Sequence, residues 1–335
     1  MTNPEHYSQV IPDQLSGKRL DQALASMFPD YSRARLQRWI KDGHVTVDGL
    51  QMRPRDHIHG GERVELSIVL EEETSWRPQK LPLDIVFEDE SVIIINKPAG
   101  VVVHPGAGNM DGTLSNALLH HAPELELVPR AGVVHRIDKD TSGLLMIART
   151  LVAQKSLVEQ LEARSVEREY RALTQGVMTA GGTVDAAIGR HPVNRTRQAV
   201  IEDRVINNEE DSGHREVRNG KEAITHYRVL EKFRAHTYVK VKLETGRTHQ
   251  IRVHMAHINY PLVGDPVYGG RLRIPPKVTP ELEAALRGFK RQALHAAALG
   301  FVHPKTEEFV EWQAPLPNDM ARLIEACRQD AQVQK

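Results

Sequence analysis

With 335 residues, 40% of them hydrophobic and 26% charged, the chain can bury a sizeable core and is expected to fold as a large domain plus a smaller one. Its single cysteine, Cys327, excludes a disulfide scaffold within the monomer and a cysteine-rich zinc site. Formal net charge is zero, 44 basic against 44 acidic residues, so the overall balance announces no polyanionic partner and the local distribution has to be read instead.

The segment Met1–Asp13 is polar and has no apolar run that could serve as a signal peptide. No stretch approaches the roughly 20 apolar residues that a membrane span needs, so a cytoplasmic protein without membrane contact is expected. Leu20, Ala23, Leu24, Met27 and Phe28 recur at helical spacing and predict a helix with one buried stripe, broken at Pro29-Asp30. Ser32 is placed to cap a second helix that runs to about Asp42 and ends at Gly43, with Leu36 and Ile40 facing inward. Its other residues include Arg33, Arg35, Arg38 and Lys41, with no acid among residues 33–41. Val45–Val47 alternates as a strand before the turn pair Asp48-Gly49, and Arg63–Val69 is a further strand. Residues 15–75 thus read as a compact α/β unit.

The acidic, proline-bearing stretch from Glu71 reads as an exposed connection, with 76–82 as linker. A second domain is expected over 83–325, followed by a tail at 326–335. Within it, strands are predicted at Val92–Ile95, Val101–Val103, Leu144–Ala148, Tyr170–Val177, Ala223–Phe233, Thr237–Glu244 and Ala297–Val302. Helices are predicted at Leu114–His120, Leu151–Arg164 and Thr248–Ile258, the last burying Ile251, Met255 and Ile258. Strands that follow one another without regular helices between them favour an α+β fold with a mixed, largely antiparallel sheet. Ile201–Lys221, rich in acids and Asn/Gly pairs, reads as a mobile surface excursion.

The densest cluster of reactive side chains is Gly132-Val133-Val134-His135-Arg136-Ile137-Asp138-Lys139-Asp140-Thr141-Ser142-Gly143-Leu144-Leu145. An apolar lead-in, a polar turn and a return strand could hold a carboxylate rigidly at the rim of a sheet. An ordinary polar hairpin turn fits the same residues. A calcium loop starting at Asp138 would place Arg149 where a bidentate glutamate is required. A kinase catalytic loop fails on spacing and lacks its downstream asparagine. An aspartyl phosphotransfer site built from Asp138 and Asp140 stays open and would need magnesium.

A second cluster, Glu244-Thr245-Gly246-Arg247-Thr248-His249-Gln250-Ile251-Arg252-Val253-His254, opens a helix that Thr245 or Thr248 could cap. Arg252 lies about 100° round from the buried Ile251 and could reach a carboxylate at the core's edge. His249, His254 and His257 lack the glutamate of a metalloprotease helix, and surface or nucleic-acid-facing histidines are the favoured reading. Arg168-Glu169-Tyr170, at a strand entry, is weak by itself, since strand tyrosines commonly pack.

Taken together these segments resemble the RluA family of pseudouridine synthases. His135-Arg136-Ile137-Asp138-Lys139-Asp140-Thr141-Ser142-Gly143 is similar to its signature, with Ile137 where Leu is commoner. Asn96-Lys97-Pro98-Ala99-Gly100 with His104-Pro105, Arg168-Glu169-Tyr170, Gly246–His254 and Gly264-Asp265-Pro266-Val267-Tyr268-Gly269 follow in the family's order, and residues 15–75 resemble an S4 RNA-binding domain. The resemblance implies a uridine isomerase acting on large-subunit ribosomal RNA, at helix 69, as a monomer. It implies Asp138 as the catalytic carboxylate, ionised beside Arg252, and Tyr170 against the uracil. Arg136 would contact a phosphate or the flipped base, with Arg247 and His249 as further RNA contacts. Arg33, Arg35, Arg38 and Lys41 would bind phosphates. Breaking C1′–N1 and joining C1′ to C5 gains and loses no atoms, so no cofactor or metal is expected. A non-catalytic RNA-binding assembly factor on the same fold is the alternative of a different class, as is a synthase acting at other ribosomal or transfer RNA sites.

Overall fold

A computed structural model describes residues 5–29, 31, 33–68, 76–106, 108–194, 196–201 and 220–333. Near the N-terminus, β1 (Glu5–Val10) is followed by α1 (Leu20–Met27), α2 (Arg33–Lys41), β2 (Val45–Val47) and β3 (Arg63–Ile68). The strands form an antiparallel sheet with β3 in the middle. Leu20 and Leu24 from α1, Leu36 and Ile40 from α2 and Val45, Val47, Val64 and Leu66 from the sheet make one core. Full burial of each such side chain stabilises by about 1.5–3 kcal/mol. One carboxylate sits inside this unit. Asp21, fully buried, accepts from Arg19 at 3.0 Å, Arg33 at 2.7 Å and Gln37. Burial pushes its carboxyl up, and Gln37, Arg33 and Arg19 together bring it below its ordinary value.

The remaining chain builds a nine-stranded sheet. In chain order come β4 (Ile85–Glu88), β5 (Val92–Lys97), α3 (Leu114–His121), β6 (Ser142–Ala148), α4 (Leu151–Glu162), β7 (Glu167–Gln175), β8 (Gly182–Asp185), β9 (Ile188–Arg190), β10 (Gln198–Val200), β11 (Ile224–Lys232), β12 (His236–Leu243), α5 (Gln250–His257), α6 (Pro280–Gly288), β13 (Leu294–Val302), β14 (Phe309–Gln313) and α7 (Asn318–Val333). The sheet order is β4-β5-β6-β13-β7-β12-β11-β8, with β14 also on β13, while β9 and β10 pair separately. Among the described residues every strand pairing but one is antiparallel, as the sequence of strands led us to expect. The exception is β13 against β6, joined only at His295–Ser142 and Ala296–Gly143. Beyond that point β14 pairs with β13 over Ala298–Val302. This short parallel junction lies at the start of β6, immediately after the Asp138 turn.

Several boundaries differ from the sequence reading. The small unit begins before residue 15, because β1 supplies an edge of its sheet. Residues 326–335 are not a tail through most of their length: α7 continues to Val333 and buries Ala326, Cys327 and Asp330. Val101–Val103 is not a strand. Its carbonyls are taken by other donors, Val101 by Lys97 Nζ and Val102 and Val103 by the first amides of α3. Helix α5 starts at Gln250 rather than Thr248, because its N-cap is His249 in a left-handed conformation (φ +57°). The sequence places Leu157, Val158 and Leu161 of α4 inward; Leu157 is buried together with Ala153, while Val158 and Leu161 are half-buried. Strands β4, β8, β9, β10 and β14 and helices α6 and α7 escaped the periodicity search. Ser32 and residues 202–219, most of the acidic excursion, lie outside the described residues. The ends of that excursion are anchored: Ile201 donates to Ala187 at 2.8 Å and Lys221 exchanges backbone bonds with Ile188. Among the described residues no helix is long and apolar enough to cross a membrane.

Candidate active site

The turn that carries Asp138 is tied down from several sides. Thr141 N–H donates to the Asp138 carbonyl at 3.1 Å, closing the turn. Gly100 N–H and Lys97 Nζ both donate to the Lys139 carbonyl at 2.9 Å. Arg291 donates to the Asp140 carbonyl at 3.2 Å, Gln292 to Thr141 Oγ1 at 2.9 Å, and Ser142 Oγ meets His295 Nδ1 at 2.9 Å. Gly143, at φ +114°, lets β6 approach β13: a Cβ there would lie 2.2 Å from the Ala296 carbonyl oxygen. Lys97 is fully buried, and its ammonium also donates to the Pro98 and Val101 carbonyls at 2.8 and 2.9 Å. Burial pulls it down to about 7, against the pull of Asp140 and Asp138. Three carbonyls match the three donors of an ammonium, one more than a neutral amine offers.

Helix α5 presents Arg252 to this turn. The guanidinium, 5% exposed, donates from one terminal nitrogen to Asp138 Oδ2 at 2.9 Å. Its Nε and other terminal nitrogen donate to Asp265 at 2.7 and 3.0 Å. Asp265 also accepts the backbone N–H groups of Val267 and Tyr268 at 2.8 and 2.9 Å. Burial raises the Asp265 carboxyl, while Arg252 and those two amides bring it below 3.8. Arg252 is likewise opposed by burial but held protonated by Asp265 and Asp138. The Tyr268 ring covers the guanidinium at 5.1 Å. The start of α5 is pinned by the buried Gln250, which accepts from Thr245 and Arg247 and donates to Ile224 and Thr225.

His249 stands on the other side of Asp138, Nε2 at 3.8 Å from Oδ1. Its Nδ1 meets the Tyr268 hydroxyl at 2.9 Å, and that hydroxyl accepts the Gln198 N–H at 2.9 Å. One proton is shared between the tyrosine hydroxyl and Nδ1, and Nε2 faces the carboxylate. Burial, Arg252 and Arg136 lower the imidazole's proton affinity against Asp138 and Asp265.

These groups open on a cavity of about 300 Å³, at the small end of ligand pockets. Tyr170 of β7, 6% exposed, lines it together with Ile137, Leu243 and Leu294, and burial raises its phenol. Asp138, Tyr170, Arg252, Arg136, Arg247 and His249 all line this one cavity. Arg247 is partly committed, its Nε donating to the Glu222 carbonyl at 2.9 Å. Arg33, Arg35, Arg38 and Lys41 lie elsewhere, on α2. Arg33 is bonded to Asp21 and Arg35 lies over the Trp39 ring at 5.8 Å. His254 is no surface residue: it is fully buried between Thr225 Oγ1 and the Ala186 carbonyl.

The sequence reading assigned no role to Asp265, Lys97 or Arg168. Arg168 is buried beside the cavity, with Nε lacking a partner among the described residues and a terminal nitrogen donating to the Glu244 carbonyl at 3.2 Å. All three stood in quoted motifs, but the contacts that place them at the site, to Arg252, Lys139 and Glu244 respectively, span 13, 42 and 76 positions of the chain.

Asp265→Asn tests the buried pair. Asp265 contributes stability that is complete above 3.8 and is lost as pH falls through its lower folded value. Removing one partner should cost about 3–5 kcal/mol in urea unfolding at neutral pH and leave less stability to lose below that range. A cost under about 1 kcal/mol would contradict the pairing.

Comparison with known proteins places the chain among its relatives. Residues 91–257 match the family model for RNA pseudouridylate synthase and residues 18–64 that for the S4 domain. The chain is 55% identical over 320 residues to "Ribosomal large subunit pseudouridine synthase D" of Pseudomonas aeruginosa, covering 96% of this chain and 95% of that one. It is 54% identical over 327 residues to the protein of the same name from Escherichia coli K12, covering 97% and 95%. Among solved structures, "Human RNA Pseudouridylate Synthase Domain Containing 4" superposes with a TM-score of 0.56 at 26% identity, over 73% of this chain and 92% of that one. A tethered carboxylate, a buried guanidinium beside it and this degree of likeness lead to one conclusion: the chain belongs to the RluA-type family of RNA pseudouridine synthases.

Proposed function

We propose that the enzyme isomerises uridines of large-subunit (23S) ribosomal RNA, those of helix 69 among them, acting as a monomer with Asp138 as its catalytic carboxylate. The observation that carries the mechanism is the 2.9 Å contact between Asp138 and Arg252 in a cavity also lined by Tyr170. The names of the relatives in Pseudomonas and Escherichia supply the substrate class.

The reaction detaches uracil at N1 and rejoins it through C5, so the base must be held while it turns. A cavity this small admits one extruded nucleotide, and extrusion costs a few kcal/mol, less from a loop than from a duplex. Tyr170 offers a ring for the uracil to pack against. Arg252 binds Oδ2 of Asp138 and so orients the carboxylate, leaving Oδ1 to act at the sugar. Attack at C1′ and proton removal at C2′ both need a carboxylate in that position. Arg136, exposed at the cavity's edge, and Arg247 with His249 are suited to phosphate or base contacts. The cations of α2 add distant phosphate contacts, with Arg33 reduced in role by its bond to Asp21.

Mapping pseudouridine in ribosomal RNA from a strain lacking the gene tests the substrate. The helix 69 modifications should vanish and return when the gene is restored; an unchanged map contradicts the proposal. For α2, Arg38→Glu with Lys41→Glu should weaken binding to transcribed ribosomal RNA and flatten its salt dependence by roughly 0.7–0.9 logarithmic units per lost phosphate contact. Unchanged affinity across the salt series would remove α2 from the RNA surface.

A further inference from the structure

A second group of cations faces the same cavity and has no part in the Asp138–Arg252 pair. Arg130 and Arg136 both line the cavity and both are exposed, which puts them at its rim. Arg130 sits in an unusual turn. Arg130, Ala131 and Gly132 take φ of +57°, +51° and +74° in succession. Two of the three carry side chains, for which this conformation is unfavourable. The turn cannot slide away. Ala131 is fully buried, and a Cβ on Gly132 would lie 2.0 Å from the Ala148 carbonyl oxygen.

The group that holds Arg130 is neutral. A terminal nitrogen of Arg130 donates to His104 Nε2. That contact puts the ring proton on Nδ1, which meets Ser115 Oγ at 3.0 Å, and the serine hydroxyl donates to the Val103 carbonyl at 2.9 Å. Trp76 packs against the imidazole with centroids 5.4 Å apart. Burial, with Arg130 and Arg136 nearby, brings His104 down to about 4, so the ring carries no charge at neutral pH. The relay therefore aims the guanidinium without offsetting its charge. Other arginines of this protein are treated differently: Arg252 faces two carboxylates, Arg149 faces Glu88 and Glu124, and Arg33 faces Asp21. Among the described residues no carboxylate pairs with Arg130 or Arg136. The two guanidiniums are near enough that Arg136, after burial, makes the charge on Arg130 harder to hold. Like charges held together without a counterion call for an anion from outside.

We propose that Arg130 and Arg136 form a phosphodiester-binding site at the rim of the cavity that grips the RNA backbone beside the extruded uridine, with His104 as the positioning residue for Arg130. This rests on reading the cavity as a nucleotide site. Arg130 then does its work in binding rather than in bond making, and the strained turn is the means of presenting it.

The test is the affinity for transcribed large-subunit ribosomal RNA across a salt series, with melting temperatures measured in parallel. Arg130→Gln should bind about tenfold more weakly, and the slope of log affinity against log salt should shrink by roughly 0.7–0.9. Arg130→Lys should keep the slope. Arg130→Gly relieves the left-handed backbone, so it should melt no lower than the wild type and still bind as weakly as Arg130→Gln. His104→Ala should raise KM without lowering kcat, and its effect should disappear when Arg130 is already Gln. Wild-type affinity in Arg130→Gly, or weaker binding with an unchanged slope, overturns the proposal. The binding measurement needs no turnover. A chain that bound RNA as described yet made no pseudouridine would sink the enzymatic reading alone.

Discussion

The buried guanidinium of Arg252, shared between two carboxylates, is the interaction on which the site depends. A charge at 5% exposure is expensive unless paired with good geometry. Here Asp265 takes two of its donors and is itself satisfied by two backbone amides, so that carboxylate is spent on structure. One of the three donors that remain is directed at Asp138. One carboxylate is locked in the interior to hold the cation, and the other, 19% exposed, is left with an oxygen facing the cavity.

The sheet supplies the second half of the arrangement. Its only parallel pairing among the described residues, β6 against β13, is two residue pairs long and sits directly after the Asp138 turn. At such a junction the chain turns out of the sheet, and its peptide groups need partners elsewhere. Lys97 and Arg291 bond the Lys139 and Asp140 carbonyls, and Gln292 and His295 hold the Thr141 and Ser142 hydroxyls, from β5, from the approach to β13 and from β13 itself. Chemistry at the sugar tolerates little misplacement, and a turn anchored through four consecutive residues has little freedom to drift. The two rim cations differ from Arg252: among the described residues no carboxylate pairs with Arg130 or Arg136, whereas the buried guanidinium of Arg252 is matched by two.

Much of this was legible in the sequence. The helical stripe of Leu20–Phe28 and the alternation of Thr237–Glu244 predicted their elements by periodicity, and the β-branched run of Val92–Ile95 predicted a buried strand by its composition. The Asp138 turn and the Arg252 helix stood out through residue type and were joined by family resemblance. Less visible were elements whose partners are distant. Strand β1 is polar and is defined by pairing with β3, and α7 was hidden behind an assumed tail although its inner face buries Met320, Leu323, Ile324 and Cys327. Asp265 carries no signal of its own: thirteen residues separate it from Arg252, and only the folded chain brings them within 2.7 Å. His249 looked like a helix residue, but it is the left-handed residue before the helix, and that conformation turns its ring towards Asp138. The open reading of Asp138 with Asp140 as a phosphotransfer pair gives way to the family assignment.

The most direct measurement is tritium release from uridine-labelled large-subunit ribosomal RNA by Asp138→Asn. The amide keeps the shape of the side chain and can still accept from Arg252, so the variant should fold and bind RNA while releasing no tritium above background. A folded Asp138→Asn protein that still turned over would show that the reaction does not run through this carboxylate.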